Sequence, residues 1–327
     1  MLVLEEQEHM KTLRGEKVKI FTGNSNPQLA RDIATYLEVP LGKATVGRFT
    51  NLEIAVKIEE NVRGNDVFVI QPTCHPANDS LMELLIMVDA LSRSSANTIT
   101  AVIPYYGYAK QEKKTSGREP ITAKLIANLL TVASVDRVIT IDLHAPAIQG
   151  FFDIPVDNLF SLPVMVEHAK KRGWDGPNTV VVSPDAGGVA RARAFAEKIH
   201  ASLAIIFKRR PRPDVSEATE LVGDVTGKTA IIIDDMISTG GTLVGAAHAL
   251  LDRGAVRVVA LATHGILAGE AVDIIQNSRI DEVVITDTIP VPPRALEGKF
   301  VVLSVAPLLG EAIRRNYFHL SVSKLFT

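Results

Sequence analysis

Short apolar runs alternate along the chain with stretches spaced for helices. Residues 18–21, 67–70, 99–104 and 138–141 read as buried strands in the first half. Residues 179–183, 203–207, 231–233, 256–261, 283–286 and 300–303 read the same way in the second. Between them, helical spacing predicts helices from Pro27 to about Leu37, over 121–133, from the turn at 184–188 to Ile199, over 243–251 and over about 307–315. Pro27 suits a first helical turn, and Asp79 or Ser80 can cap a helix running through Ser92. Alternation at Ile54, Val56 and Ile58 predicts a half-exposed strand after an irregular stretch, 47–53. Strands alternating with helices imply an α/β fold with largely parallel sheets.

Composition adds limits. The 327 residues suggest two domains, with 46% hydrophobic and 22% charged residues in the range of globular proteins. A net charge of −2 gives no global pull toward nucleic acid. Cys74 is the single cysteine, which excludes an internal disulfide and a cysteine-rich metal site. No apolar run reaches membrane-spanning length. The acidic start, Met1 to Arg14, lacks the apolar length of a secretory signal. We expect a loose N-terminal extension over 1–16 and a cytoplasmic protein. Pro, Gly and polar residues gather between Phe160 and Pro177, where a domain boundary is expected. A faint echo between 139–142 and 231–234 hints at two related domains.

The stretch with most chemistry is Ile231 to Thr242. Three β-branched residues lead into Asp234 and Asp235, then into the turn Ser238-Thr239-Gly240-Gly241-Thr242 and a helix. A strand, a Gly-rich turn and a helix N-terminus present backbone N–H groups to a phosphate. Two carboxylates would repel a bare phosphate. A phosphorylated sugar resolves the conflict, because its hydroxyls donate to carboxylates while its phosphate sits on the turn. The plain alternative is a βα turn capped by Thr239 or Thr242.

Other stretches could join this chemistry. Asp142 and His144 follow a strand and, on an extended segment, would point the same way and share a metal; a capping Asp and a packed His would look alike. Residues 149–158 add two carboxylates in a loop-like context. Pro184 to Gly188 is a turn with one acidic residue, Asp185, where glycines admit either a ligand or simple turn geometry. Lys208, Arg209, Arg210 and Arg212 open a Pro-rich loop reaching about Thr219. Such cations suit solvent, nucleic acid, or the charge that develops in phosphoryl transfer. A second basic loop, 105–120, sets Tyr108 beside Lys110, Gln111, Lys113 and Lys114, a pattern that suits a nucleotide. No Walker sequence is present.

These segments together resemble a known family. Residues 231–242 are similar to the sugar-phosphate loop of the type I phosphoribosyltransferase fold. With Arg48–Glu53, 81–87, Asp142–His144, 150–158, 183–188 and 208–213, the resemblance over about 18–326 is to the ribose-phosphate diphosphokinases, also called phosphoribosyl pyrophosphate synthetases, of the phosphate-activated, magnesium-dependent class. The resemblance implies two tandem phosphoribosyltransferase-like domains, each with a mainly parallel central sheet flanked by helices. They would span 17–160 and 161–306, with 307–327 packing back on the first. It implies that the anomeric hydroxyl of ribose 5-phosphate attacks the β-phosphorus of ATP, giving 5-phosphoribosyl 1-diphosphate and AMP for nucleotide, histidine and tryptophan biosynthesis.

The family's roles carry over by position. Phe49, Asn51, Leu52 and Glu53 would meet ATP supplied from a neighbouring subunit, and Lys110 and Gln111 would also bind ATP. His144 and Asp185 would serve Mg2+. Lys208 and Arg210 would be catalytic, with Arg210, Asp234 and Ser238, Thr239, Gly240, Gly241 and Thr242 holding ribose 5-phosphate. The loop 115–119 would be regulatory, with inorganic phosphate as activator and ADP as inhibitor. The resemblance further implies a homo-oligomer, a hexamer, with no nucleic-acid or membrane partner. Two positions depart from the family: Lys110 stands where Arg is usual, keeping charge without bidentate stacking geometry, and Ser238 stands where an Asp is common. Rival readings are a base phosphoribosyltransferase, which the stretch Phe49–Glu53 disfavours, and a non-catalytic regulatory homologue, which the presence of Lys208 and Arg210 disfavours.

Overall fold

Apolar alternation along single strands decides the layers. The computed structural model describes residues 13–209 and 218–325. The chain divides into two units, Met1–Phe160 with Ser304–Thr327, and Ser161–Leu303.

In the first unit the strands β1 (Val18–Thr22), β4 (Asp66–Ile70), β5 (Thr98–Ile103), β6 (Arg137–Ile141) and β7 (Val156–Leu159) form a parallel sheet in the order β1-β4-β5-β6-β7. Neighbouring residues of one strand enter different cores because Cβ atoms alternate across a sheet. Val67 and Val69 pack with α2 (Ala77–Arg93) and α3 (Thr122–Val132), while Phe68 and Ile70 pack with α1 (Pro27–Tyr36) and α9 (Ala306–Tyr317). Each fully buried aliphatic or Phe side chain contributes roughly 1.5–3 kcal/mol. Leu13 is buried in the second of these cores, and the Tyr317 hydroxyl donates to Glu16 Oε2 at 3.1 Å. The rest of the expected extension, residues 1–12, lies outside the described residues.

The stretch read as irregular, 47–53, begins in the last two residues of β2 (Ala44–Arg48) and is the turn by which β2 pairs antiparallel with β3 (Ile54–Ile58). Helix α2 starts at Ala77 after Pro76 with no side-chain cap, so neither Asp79 nor Ser80 caps it. Asp157 stands in β7 and pairs with Arg137 at 2.9 Å, which takes it out of the loop assumed for residues 149–158.

In the second unit the order is β10 (Ala218–Val222), β9 (Ser202–Arg209), β8 (Thr179–Ser183), β11 (Thr229–Ile237), β12 (Arg257–Gly265), β13 (Glu282–Thr286) and β14 (Phe300–Leu303). All neighbours run parallel except β9 and β10. Ala230 and Ile232 pack with α6 (Gly241–Asp252) and α7 (Ala271–Gln276). Ile231 and Ile233 pack against α4 (Leu162–Lys171) and α5 (Val189–Lys198) on the other face. The stretch 160–177, read as a boundary, thus contains helix α4. Helix α8 (Pro293–Leu296) is a single turn. Strand β11 does not end before the aspartates; it continues through Asp234 and Asp235 to Ile237 because β12 pairs with it as far as Gly265.

Candidate active site

In the second unit, the continuation of β11 decides what the acidic pair can do. Successive side chains on a strand point to opposite faces, so Asp235 falls on the face of Ile231 and Ile233, which α5 covers. Its side chain keeps only 6% of its exposure, whereas Asp234 keeps 30%. Arg191, on α5, reaches toward both, with Nη1 3.6 Å from Asp234 Oδ1 and 3.8 Å from Asp235 Oδ1. Burial, and after it the neighbouring Asp235, pushes the Asp234 carboxyl up to about 7; the Asp235 N–H, 2.8 Å from Asp234 Oδ1, and Arg191 act in the opposite sense.

The turn after β11 has the backbone geometry that suits an anion. Gly240 has φ +80° and serves as N-cap of α6 without any side-chain cap, so neither Thr239 nor Thr242 caps this helix. A Cβ on Gly240 would lie 3.1 Å from Ile275 Cγ1, so the left-handed backbone and the neighbour both require glycine. The carbonyls of Ile237 and Ser238 accept from Ile266, Leu267 and Ala268 at 2.9–3.1 Å, which fixes the base of the turn. Thr239, Gly241 and Thr242 remain exposed beside the first turn of α6, whose N–H groups are the natural anion donors.

The Asp185 turn precedes α5. Ser183 Oγ donates to the Asp185 carbonyl at 2.7 Å, and Asp185 Oδ1 accepts from the Gly188 N–H at 2.9 Å. Its carboxylate is exposed. Lys208 lies in β9, opposite Thr219, and Arg210 lies outside the described residues.

In the first unit, one helix end holds two of the expected nucleotide segments. Asp79 Oδ2 pairs with Arg48 Nη2 at 2.6 Å, and Asn78 Oδ1 accepts from the Tyr108 hydroxyl. Arg48 adjoins Phe49, and Tyr108 precedes Lys110 by two residues. Consecutive residues of α2 therefore tie the tip of the β2–β3 hairpin and the 105–120 loop to one frame. The tip is a tight turn, with Phe49 N–H to Glu53 O at 2.8 Å, Leu52 N–H to Phe49 O at 2.9 Å, and Leu52 at φ +70°. Phe49 and Leu52 are 60% and 70% exposed, and Asn51 and Glu53 are exposed as well.

Lys110 and Gln111 are exposed, with Gln111 Oε1 accepting from Thr122 Oγ1 at 2.5 Å. Glu112 next to them is half-buried. Burial raises its pKa, but its own N–H, Lys113 and the charge of His144 outweigh that and lower it. His144 therefore stands beside the 105–120 loop. It does not share an extended segment with Asp142, because Asp142 turns left-handed at φ +44° and is buried. Among the described residues no group of three His, Cys, Asp or Glu side chains gathers to hold a metal. The loop 115–119 folds on Glu119, whose carboxylate accepts from the Thr115 and Ser116 N–H groups and hydroxyls. The Ser116 hydroxyl, followed by the two N–H groups and Thr115, draws that carboxyl down to about 2.

Sequence reading missed Arg191, Asn78, Asp79 and Glu112 as parts of these sites. Arg191 had a usable signal, as the third residue of a helix opened by a Gly-Gly turn. The other three needed the packing.

The comparisons with known proteins agree with one another. Residues 18–134 match the N-terminal domain of ribose phosphate pyrophosphokinase, and residues 210–327 match the phosphoribosyl synthetase-associated domain. A ribose-phosphate pyrophosphokinase from Caldanaerobacter subterraneus subsp. tengcongensis is 57% identical over 95% of this chain and 98% of its own. One from Mesorhizobium japonicum is 56% identical over 94% of this chain and all of its own, 100%. The crystal structure of phosphoribosylpyrophosphate synthetase from Mycobacterium smegmatis superposes with a TM-score of 0.88 at 42% identity, covering 92% of this chain and 99% of that one.

Proposed function

The chain belongs to the ribose-phosphate pyrophosphokinase family, and from that premise we propose how its residues divide the work. The enzyme transfers the diphosphoryl group of ATP to the anomeric hydroxyl of ribose 5-phosphate, releasing AMP. One arrangement supports the sugar assignment above all: a half-exposed Asp234 beside a buried Asp235, a few residues before a left-handed glycine turn at a helix N-terminus. We assign the 5-phosphate to Ser238, Thr239, Gly240, Gly241 and Thr242, and the ribose hydroxyls to Asp234. Hydroxyls donating to a carboxylate and a phosphate accepting from backbone N–H groups satisfy both ends of one small molecule.

We assign ATP to Phe49, Asn51, Leu52 and Glu53 of one subunit and to Lys110 and Gln111 of its neighbour. An exposed aromatic face suits a purine ring, and a lysine suits phosphate. Lys208 and Arg210 would act on the transferred group, where cations stabilise charge that develops only in the transition state. Diphosphoryl transfer leaves AMP as the departing group, so the cations must follow the β-phosphorus as its bond to the α-phosphate oxygen breaks.

Of the two expected donors, the Asp185 carboxylate suits Mg2+, whereas the His144 imidazole is the more usual ligand of softer metals. Mg2+ takes one or two protein groups and completes its shell with water and substrate phosphates, and the exposed Asp185 carboxylate can serve as one such group. Asp185 and His144 would hold the ion, which supplies neutralising charge to the triphosphate when bound. We further assign the 115–119 loop to activation by inorganic phosphate and inhibition by ADP. We propose a homo-oligomer, a hexamer by family resemblance; an exposed apolar row at Ile121, just before α3, and Leu125, Leu129 and Val132 along it supports self-association. Among the described residues no helix is long and apolar enough to cross a membrane, and we assign the reaction to the cytoplasm.

The direct test incubates purified protein with ATP, Mg2+ and ribose 5-phosphate. AMP and 5-phosphoribosyl 1-diphosphate should form together, and AMP should be absent when the sugar is omitted. Sugar-independent AMP, or none in either tube, would overturn the assignment.

A further inference from the structure

Two adjacent carboxylates within one strand repel each other, and burial makes that repulsion larger. Neither can accept a sugar hydroxyl dependably if the pair keeps a proton between them. Something must hold the pair ionised and oriented. Among the described residues, the charged groups around Asp234 are few. Strand β12 presents Ala262 opposite it and the buried His264 opposite Met236. Strand β8 pairs with β11 only as far as Ile232, with Asp185 in the turn beyond. Helix α6 opens with the uncharged Gly241, Thr242 and Leu243. From α5 comes Arg191, whose Nη1 lies 3.6 Å from one carboxylate and 3.8 Å from the other.

We propose that Arg191 is a positioning residue for the reaction: it bridges Asp234 and Asp235 and favours the ionised form of Asp234, the carboxylate assigned to the sugar. This rests on the assignment of Asp234 to ribose 5-phosphate. The bridge is longer than a hydrogen bond to either oxygen, so it acts as a shared charge. A guanidinium suits this role because it stays protonated at every relevant pH. Its own placement comes from the fold. Arg191 is the third residue of α5, which follows the Asp185 turn. Ala192 beside it is buried, and so are Phe195 and Ala196 further along the helix, which fixes the helix against the sheet. Arg191 is half-buried, so the pair feels its charge with limited screening from water.

The consequence is a pH profile. Asp234, already pushed up by burial and by Asp235, would rise further without the guanidinium. Arg191→Gln should therefore move the acidic limb of kcat/KM for ribose 5-phosphate upward by about one pH unit. At pH 7 the loss should be about fivefold, approaching about tenfold at lower pH and shrinking as pH approaches 9. Arg191→Lys keeps the charge and should restore most of the profile. KM for ATP should change little in either variant.

Profiles of the wild type, Arg191→Gln and Arg191→Lys from pH 6 to 9 test the proposal. A limb shared by all three would overturn it, as would an equal loss at every pH that lysine does not rescue. Thermal unfolding of each variant separates a folding defect from a charge effect: a misfolded Gln variant would show a lowered midpoint, and Lys then carries the comparison with wild type. Asp234→Asn distinguishes this proposal from its premise. If that variant keeps the wild-type KM for ribose 5-phosphate, the sugar assignment itself is wrong. If its KM rises while Arg191→Gln leaves the limb unmoved, the sugar assignment stands and Arg191 does not act through the pair.

Discussion

The two units carry their expected sites in opposite ways. In Ser161–Leu303 the acidic pair sits within a central strand, and the anion turn is closed by backbone hydrogen bonds from the segment after β12. In Met1–Phe160 the residues assigned to ATP lie on an exposed hairpin tip and an exposed loop, tied down by Asn78 and Asp79 at one helix end. A site cut into a core strand is preorganised before ligand arrives. A site on exposed loops depends on a few surface contacts and on what binds over it. The difference predicts that substitutions in the first kind of site affect one substrate strongly, and stability with it, while those in the second kind have smaller effects on the other substrate.

The largest effect should come from neither resting site. Lys208→Ala removes a cation assigned to the transition state. Its kcat should fall on the order of 10²- to 10³-fold with both KM values within a few fold of wild type. Steady-state kinetics checks this, and a large KM change with little loss of kcat would move Lys208 into substrate binding. Next is Asp234→Asn, which should raise KM for ribose 5-phosphate on the order of tenfold or more and leave KM for ATP unchanged. It carries a second signature. A carboxyl whose folded pKa is raised stabilises the protein fully below its ordinary value near 3.8, and that contribution is lost as pH rises through about 7. The Asn variant should lack this decline, so ligand-free denaturation curves should show it gaining on the wild type between pH 4 and pH 8. Equal slopes would mean Asp234 is not held in the buried, repelled state described.

Gly240→Ala comes third. A left-handed backbone at φ +80° and a Cβ 3.1 Å from Ile275 Cγ1 should together cost about 1–2 kcal/mol. Urea denaturation checks the cost, and KM for ribose 5-phosphate should rise because the turn must shift. An Ala variant as stable as wild type would show that the turn adjusts freely, which would weaken the contrast between the two units.

Much of this was legible from local pattern and some of it was not. Most strands of both sheets, the turn at Ser238–Thr242 and the paired aspartates follow from apolar runs and small-residue turns that need no distant partner. The misses share a different cause. Strand β11 runs past the aspartates because β12 continues beside it, and no property of Asp234 or Asp235 announces that. Strand β10 exists by pairing antiparallel with β9 at a sheet edge. Asp79 looked like a cap because Asp at a helix start usually is one, yet its carboxylate pairs with Arg48, 31 positions away in sequence. Arg191 meets the acidic pair because α5 covers that face of β11. Chemistry that lies along the chain is readable from the chain; chemistry that spans two elements waits for packing.

The smallest expected effect tests the first unit's half of the contrast. The Arg48–Asp79 pair is well exposed, with side chains 40% and 41% accessible. Surface pairs of this kind contribute about 0–1 kcal/mol, so Asp79→Ala should barely change the denaturation midpoint. Its effect belongs to position instead. Arg48 also donates from Nη1 to the Leu52 carbonyl at 3.3 Å, so losing Asp79 frees a guanidinium that braces the turn carrying Phe49, Leu52 and Glu53. KM for ATP should then rise about two- to fivefold, with KM for ribose 5-phosphate unchanged and the effect growing weaker at high salt, where wild type already loses part of the same pairing. Phe49→Ala gives the ceiling, since it removes the assigned aromatic contact outright. If Asp79→Ala matches Phe49→Ala, the exposed pair sets the hairpin as firmly as a core contact would, and the division between a preorganised sugar site and a loosely held nucleotide site fails.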